Sequence, residues 1–218
     1  MQWQVLAGLR FFLAWIVFSY HLRWFFPREC LLFRFGVVSG YSIANSLTKK
    51  SEGFYKRRFI RVYPLYFLGV IVSLLPFLFL DSEIQTPYDN FIFAKSNLKE
   101  IIGNLLFLNG FIIEPISSNP ILWILSLEIV CYLIAPFLIK LSNQKIYCLI
   151  TVSALAYAIY PDFSLPYYSH LKYGLGIVFL SWSWLLGFIY FREKTNKNAV
   201  NTKIVIISTG CILLGANG

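Results

Sequence analysis

The sequence predicts an all-α, polytopic membrane protein with six to seven transmembrane helices plus one amphipathic helix on the outer surface. Three observations predict it. Of the 218 residues, 58% are hydrophobic and only 13% charged. The apolar residues gather in runs near the ~20 residues that span a bilayer. Lys and Arg collect between those runs, as they do in the loops of membrane proteins. A soluble domain of this size has no core large enough to bury so much apolar chain.

Taken in order, the apolar segments cover 3–22, 33–47, 62–80, 121–141, 146–160 and 173–191. A seventh, 203–218, is incomplete: "KIVIISTGCILLGANG" falls short of a span, and the chain is expected to stop inside an element. The first run has neither a basic n-region before it nor a small-residue cleavage site after it, so it is expected to be retained and not cleaved as a signal peptide. No internal repeat, low-complexity tract or soluble domain interrupts the series. The chain reads as one membrane domain over 1–218.

Orientation follows from the basic residues. With the N-terminus cytoplasmic, the inner segments hold Lys49, Lys50, Lys56, Arg57, Arg58, Arg61, Lys140, Lys145, Arg192, Lys194, Lys197 and Lys203. The outer segments hold Arg23, Arg28, Arg34, Lys95, Lys99 and Lys172, half as many. The count depends on "NLKEIIGNLLFLNGFIIEP", residues 97–115, which is apolar enough to pass for another span. Leu98, Ile101, Ile102, Leu105 and Leu106 form one helical stripe opposite Lys99 and Glu100, with Asn97 as cap. The segment is therefore expected to lie on the outer surface as an amphipathic helix.

The net charge of +9 would suggest nucleic acid in a soluble protein, but here it sits in membrane loops and predicts contact with anionic lipid. Cys131, Cys148 and Cys211 fall in apolar segments, and Cys30 stands alone in a loop. Neither a disulfide framework nor a metal site is expected.

Four stretches carry chemistry. In "LRFFLAWIVFSYHL", residues 9–22, Arg10 and His21 lie eleven residues apart, close to three helical turns, so they share one face about 16 Å apart. Either they line a ligand stripe, or Arg10 snorkels inward and His21 sits at the outer interface. In "GFYKRRFIRVYPLYFL", residues 53–68, Arg58 and Arg61 are three apart on one face near the cytoplasmic boundary, with Pro64 near the first turn of the helix they lead into. Two guanidiniums there can grip phosphates bidentately or anchor the helix to lipid head groups.

In "WILSLEIVCYLIAP", residues 123–136, Glu128 is the lone acid of a spanning run. Such a carboxylate is expected to be protonated or paired with a cation such as Arg10, Arg58 or Arg61. Ser126, on another face, reads as a packing residue. Finally, Gly36, Ser39, Gly40 and Ser42 in "FRFGVVSGYSIANSL" permit close helix approach or make room for a threaded ligand. His170 reads as an outer loop residue, with contact to an acceptor sugar as the lesser alternative.

These four stretches, in their order along the chain, resemble the acyltransferase-3 family of integral membrane O-acyltransferases. Members read approximately LRGLA followed by a histidine, FFVLSGFLI, FxxRRxxRIxPLY and WSLSVEEQFYLLFP. The resemblance runs from Gln4 to Pro136 and continues less distinctly beyond it. Ile124 replaces a usual serine and Ile129 the second acid of the EE pair. Complete members carry further helices, so the resemblance implies a C-terminally truncated member.

The resemblance implies transfer of an acyl group, usually acetyl, from cytoplasmic acetyl-CoA to a hydroxyl of an extracytoplasmic carbohydrate such as O-antigen, capsule or another surface glycan. It implies a bacterial inner membrane location with the N-terminus cytoplasmic, and acyl-CoA, carbohydrate acceptor and lipid as partners, without nucleic acid. Catalysis is then expected from His21, Arg10 and Glu128, with acetyl-CoA held by Arg58 and Arg61 and no metal. His21 suits the role of general base on the acceptor hydroxyl, or of an acyl-carrying nucleophile. A polysaccharide polymerase or flippase, or an inactive, purely interacting membrane protein, is the alternative.

Overall fold

The computed structural model describes residues 28–79, 84–85, 92–119, 122–159 and 173–194. The first predicted span with Arg10 and His21, the loop with His170, and the final segment 203–218 lie outside the described residues. Among the described residues there are six α-helices: α1 Arg28–Lys49, α2 Phe54–Leu74 with a 3-10 extension Leu75–Leu78, α3 Leu98–Leu105, α4 Leu122–Leu138, α5 Asn143–Ile159 and α6 Leu175–Lys194. Two short strands, β1 Ile84–Gln85 and β2 Ile92–Phe93, pair antiparallel with Ile84 opposite Phe93. Among the described residues two helices, Phe54–Leu78 and Leu175–Lys194, are long and apolar enough to cross a membrane, and the apolar α4 is shorter at 17 residues. The described residues form two compact units, one from 28–52, 135–159 and 178–194, the other from those between 53 and 134 together with 173–177.

In the second unit, α2 starts eight residues before the predicted 62, so Lys56, Arg57, Arg58 and Arg61 ride in its first two turns instead of in a loop. Pro64 correspondingly sits in the helix interior and not near its first turn. Gly53 sets the start: its left-handed backbone, φ 64°, suits glycine, and its carbonyl accepts the first helical bond from the Arg57 amide at 3.1 Å. No side chain caps this end and no acid lies in the first turn. Three cations at the positive end of the helix dipole each cost a few tenths of a kcal/mol, so tertiary burial of Phe54 and Arg58 has to hold the turn.

Helix α4 runs antiparallel to α2. Near one end the Tyr55 hydroxyl donates to the Leu133 carbonyl at 3.3 Å, and near the other Gly69 packs on Leu122, where an added Cβ would come within 3.3 Å. Ser117 Oγ donates to the Ala94 carbonyl at 2.9 Å and accepts from the Ala94 amide at 3.0 Å, closing residues 94–117 into a loop. Residues 92–119 of the connection from α2 to α4 are thus a loop that closes on itself between two antiparallel helices, a return loop.

Inside this loop, Asn97 caps α3 as expected, with a full capping box: Asn97 Oδ1 accepts from the Glu100 amide at 2.8 Å, and Glu100 accepts from the Asn97 amide at 3.0 Å. The helix ends at Leu105, well before residue 115, because Phe107 and Gly110 take positive φ values of 59° and 77° and turn the chain. Leu98, Ile102 and Leu106 face outward while Gly103 and Asn104 face the protein. The apolar stripe is thus on the outside, the arrangement a lipid surface favours. Tyr66, Val70, Ile116 and Leu122 form the core beneath it.

In the first unit, α1 and α6 run parallel, Phe33 stacking on Trp182 at 5.2 Å and Tyr41 meeting Phe191 edge-on at 5.3 Å. The small-residue stripe of α1 serves helix approach: Gly36 lies under Ser183, Gly40 under the Trp184 carbonyl, and Gly187 of α6 under the Val37 carbonyl. Helix α5 is antiparallel to α6. Ser153 Oγ donates to the Val178 carbonyl at 2.6 Å and accepts from the Trp182 amide at 3.0 Å, and Tyr147 donates to Glu193 at 2.5 Å. Arg192 donates to the Leu141 carbonyl at 2.7 Å, satisfying an acceptor just past the end of α4.

Candidate functional site

The second unit buries the two ionisable residues of the site that fall among the described ones and are not at the surface. Arg58 and Glu128 are only 5% and 8% exposed. Arg58 is one turn into α2, and its Cζ lies 5.6 Å from the ring centroid of Phe54 and 5.8 Å from that of Tyr132. A guanidinium against two aromatic rings gains roughly 0.5–2 kcal/mol per face from the ring quadrupole. Tyr132 stands one turn after Glu128 on the same face of α4, and its hydroxyl donates to Glu128 Oε1 at 2.5 Å. One tyrosine therefore touches the cation with its ring and the carboxylate with its hydroxyl.

Arg61 is not part of this cluster. It is exposed, like Lys56 and Arg57, although the three-residue spacing puts it on the neighbouring face of α2. A 60° turn of helix separates a buried arginine from an exposed one. The predicted pair is thus divided: Arg58 belongs to the protein interior and Arg61 to the surface.

Eight residues beyond Arg58, about 12 Å along the helix axis, a second buried polar group begins. Tyr66, Asn104, Asn109 and Ser126 are all fully buried. The Tyr66 hydroxyl donates to the Asn104 carbonyl at 2.6 Å, and Asn109 Nδ2 donates to Asn104 Oδ1 at 2.9 Å. Ser126 Oγ donates to Asn109 Oδ1. Asn104 Nδ2 in turn donates to the carbonyls of Glu100 and Glu114, at 2.9 and 3.0 Å. The return loop is therefore locked to α2 through the Asn104 carbonyl and to α4 through the Asn109 side-chain amide, and Ser126 serves as a structural donor.

Sequence reasoning singled out Arg58, Arg61 and Glu128 but passed over Tyr132, Asn104 and Asn109. Tyr132 had a legible signal, an i,i+4 spacing from the lone acid. The asparagines had only their polarity within an apolar run. Cys131 is buried and Cys148 exposed, both as free thiols. Among the described residues no cluster of three or more His, Cys, Asp and Glu side chains could hold a metal ion.

Among the described residues, six helices, two of them long and apolar enough to cross a membrane, and an Arg–Tyr–Glu cluster held between antiparallel helices define a protein of the all-helical class. The sequence model of the acyltransferase-3 family, described as an acyltransferase domain, matches residues 4–217, and the chain belongs to that family. A protein of Acidianus two-tailed virus, carrying the provisional name acetyltransferase ORF330, is 29% identical over 156 residues. That match covers 69% of this chain and 43% of the viral protein, so the chain spans less than half the length of the relative it matches. No solved structure matches it.

Proposed function

We propose that the protein is a membrane O-acyltransferase that moves an acyl group, most simply acetyl, from cytoplasmic acyl-CoA to a hydroxyl of an extracytoplasmic carbohydrate such as O-antigen, capsule or another surface glycan. Its setting in this reading is the bacterial inner membrane, with the N-terminus cytoplasmic. The observation that carries the reading is family membership over nearly the whole chain, joined to a buried Arg58 and Glu128 that a purely structural span has little reason to contain.

In this reading the exposed Arg61 meets the donor's phosphates at the inner boundary, and the buried Arg58 balances charge farther in. Arg10 and His21 supply the face along which the pantetheine arm lies. His21 takes the proton of the acceptor hydroxyl as its oxygen attacks the thioester carbonyl; the C–S bond breaks, and the coenzyme A thiolate recovers the proton. Arg10 orients the reacting groups, and Glu128 steadies a cation.

His21→Ala is expected to abolish acyl transfer while the protein stays inserted and stable; full transfer by that variant removes His21 from the mechanism. The two arginines are expected to respond differently. Arg61→Lys keeps a surface charge and should weaken donor affinity only a few-fold. Arg58→Lys loses the planar group against two rings and should lower transfer tenfold or more. Equal, wild-type behaviour of both in a donor-binding assay favours a lipid anchor instead. The substrate class is tested by mass spectrometry of surface glycans from cells with and without the gene, where the mass of one acetyl group per site is expected. Absence of that shift in every glycan favours a non-catalytic, interacting protein.

A further inference from the structure

We infer that Tyr132 is a positioning residue of the donor site, acting through both Arg58 and Glu128. The inference rests on the acyltransferase reading above and extends it to a residue with no role there. Its ground is geometric. Tyr132 is 4% exposed, its hydroxyl donates to Glu128 Oε1 at 2.5 Å, and its ring lies 5.8 Å from the Arg58 guanidinium carbon. Phe54, 2% exposed, offers Arg58 a second ring, but it has no group that can reach the carboxylate. Tyr132 thus touches both charges.

The two contacts do separable work. The hydroxyl donates a hydrogen bond to Glu128 Oε1 that fixes the rotamer of the carboxylate. The ring presents its negative face to the guanidinium and keeps water from it. The bond from Tyr55 to the Leu133 carbonyl, one residue along α4, holds the first turn of α2 in register with this arrangement. Removing the hydroxyl should therefore disturb Glu128 alone, and removing the ring should disturb Arg58 as well.

The test uses the complete protein in lipid nanodiscs, with acetyl-CoA turnover, binding of a non-transferable acetyl-CoA analogue, and thermal stability measured together. Tyr132→Phe is expected to lower kcat at least tenfold with KM, analogue affinity and melting midpoint unchanged. Tyr132→Leu is expected to weaken analogue binding in addition, by about fivefold or more. A Tyr132→Phe rate within twofold of wild type overturns the inference. So does a rate that falls only in step with the melting midpoint, because that is what a merely structural tyrosine would do. If the wild-type protein turns over no donor, the acyltransferase reading itself fails; an active wild type with an unaffected Tyr132→Phe removes Tyr132 alone.

Discussion

Gly40→Leu is expected to eliminate the folded protein, seen as loss of the monodisperse peak in detergent size-exclusion chromatography. Gly40→Ala should lower the melting midpoint by about 10 °C, the equivalent of ~3 kcal/mol in a chain of this length. A Cβ on Gly40 would run into the Trp184 carbonyl, with the Trp184 carbonyl carbon at 2.9 Å and the Phe188 amide nitrogen at 3.0 Å. These are backbone atoms, so no rotamer change relieves the clash. The reciprocal contact has the same character, since a Cβ on Gly187 would meet the Val37 carbonyl. Only separation of α1 and α6 makes room, and separation forfeits dispersion contacts along the whole seam, including the Phe33–Trp182 stack. Gly53→Ala provides the contrast. Its added Cβ meets nothing nearer than Arg57 Nη1 at 3.4 Å, so only the strain of φ 64° remains, about 1 kcal/mol. A midpoint for Gly40→Ala no lower than that of Gly53→Ala would mean that α1 and α6 do not approach this closely.

Asn109→Leu is the second large effect, with an expected loss of ~4 kcal/mol and a midpoint again lower by about 10 °C. Leucine keeps the branched shape of asparagine and is the bulkier of the two, so cavity formation is not the cause. Asn109 is fully buried; its Oδ1 accepts from Ser126 and its Nδ2 donates to Asn104 Oδ1 at 2.9 Å. The leucine leaves the Ser126 hydroxyl and Asn104 Oδ1 without those partners, and each orphaned group costs about 1–3 kcal/mol. Tyr66 keeps its 2.6 Å bond to the Asn104 carbonyl and is little affected. A double-mutant cycle isolates the cause. Adding Ser126→Ala to Asn109→Leu removes one orphan and should restore ~1–2 kcal/mol; strictly additive losses would show that the bond contributes nothing.

These two sites show what kind of feature a sequence exposes. Gly36 and Gly40 were legible as a small-residue stripe because their spacing is periodic along α1. Their partner could not be read, since parallel packing of α1 on α6 joins segments about 150 residues apart, and linear pattern carries no information at that range. Asn97 as a cap was legible because the capping box is local, complete within four residues. The end of α3 was not, because Phe107 adopts a positive φ that its own side chain disfavours and only the surrounding packing maintains. The start of α2 was placed too late for a related reason. A basic run reads as loop, yet burial of Phe54 and Arg58 holds it helical against the dipole.

By itself, the sequence determined the helical class, the apolar segments now seen as α1, α2, α4, α5 and α6, the Asn97-capped helix at the start of 97–115, and the family to which the chain belongs. Each follows from composition or short-range periodicity, which act through hydropathy and local backbone preference. Only the tertiary structure decided that Arg58 is buried while Arg61 is exposed, that Tyr132 joins Arg58 to Glu128, and that Asn109 locks the return loop to α4. The physical reason is that burial and hydrogen-bond partnership belong to pairs of elements. A helix face is buried or exposed according to what packs against it, and no spacing within one helix encodes its neighbour.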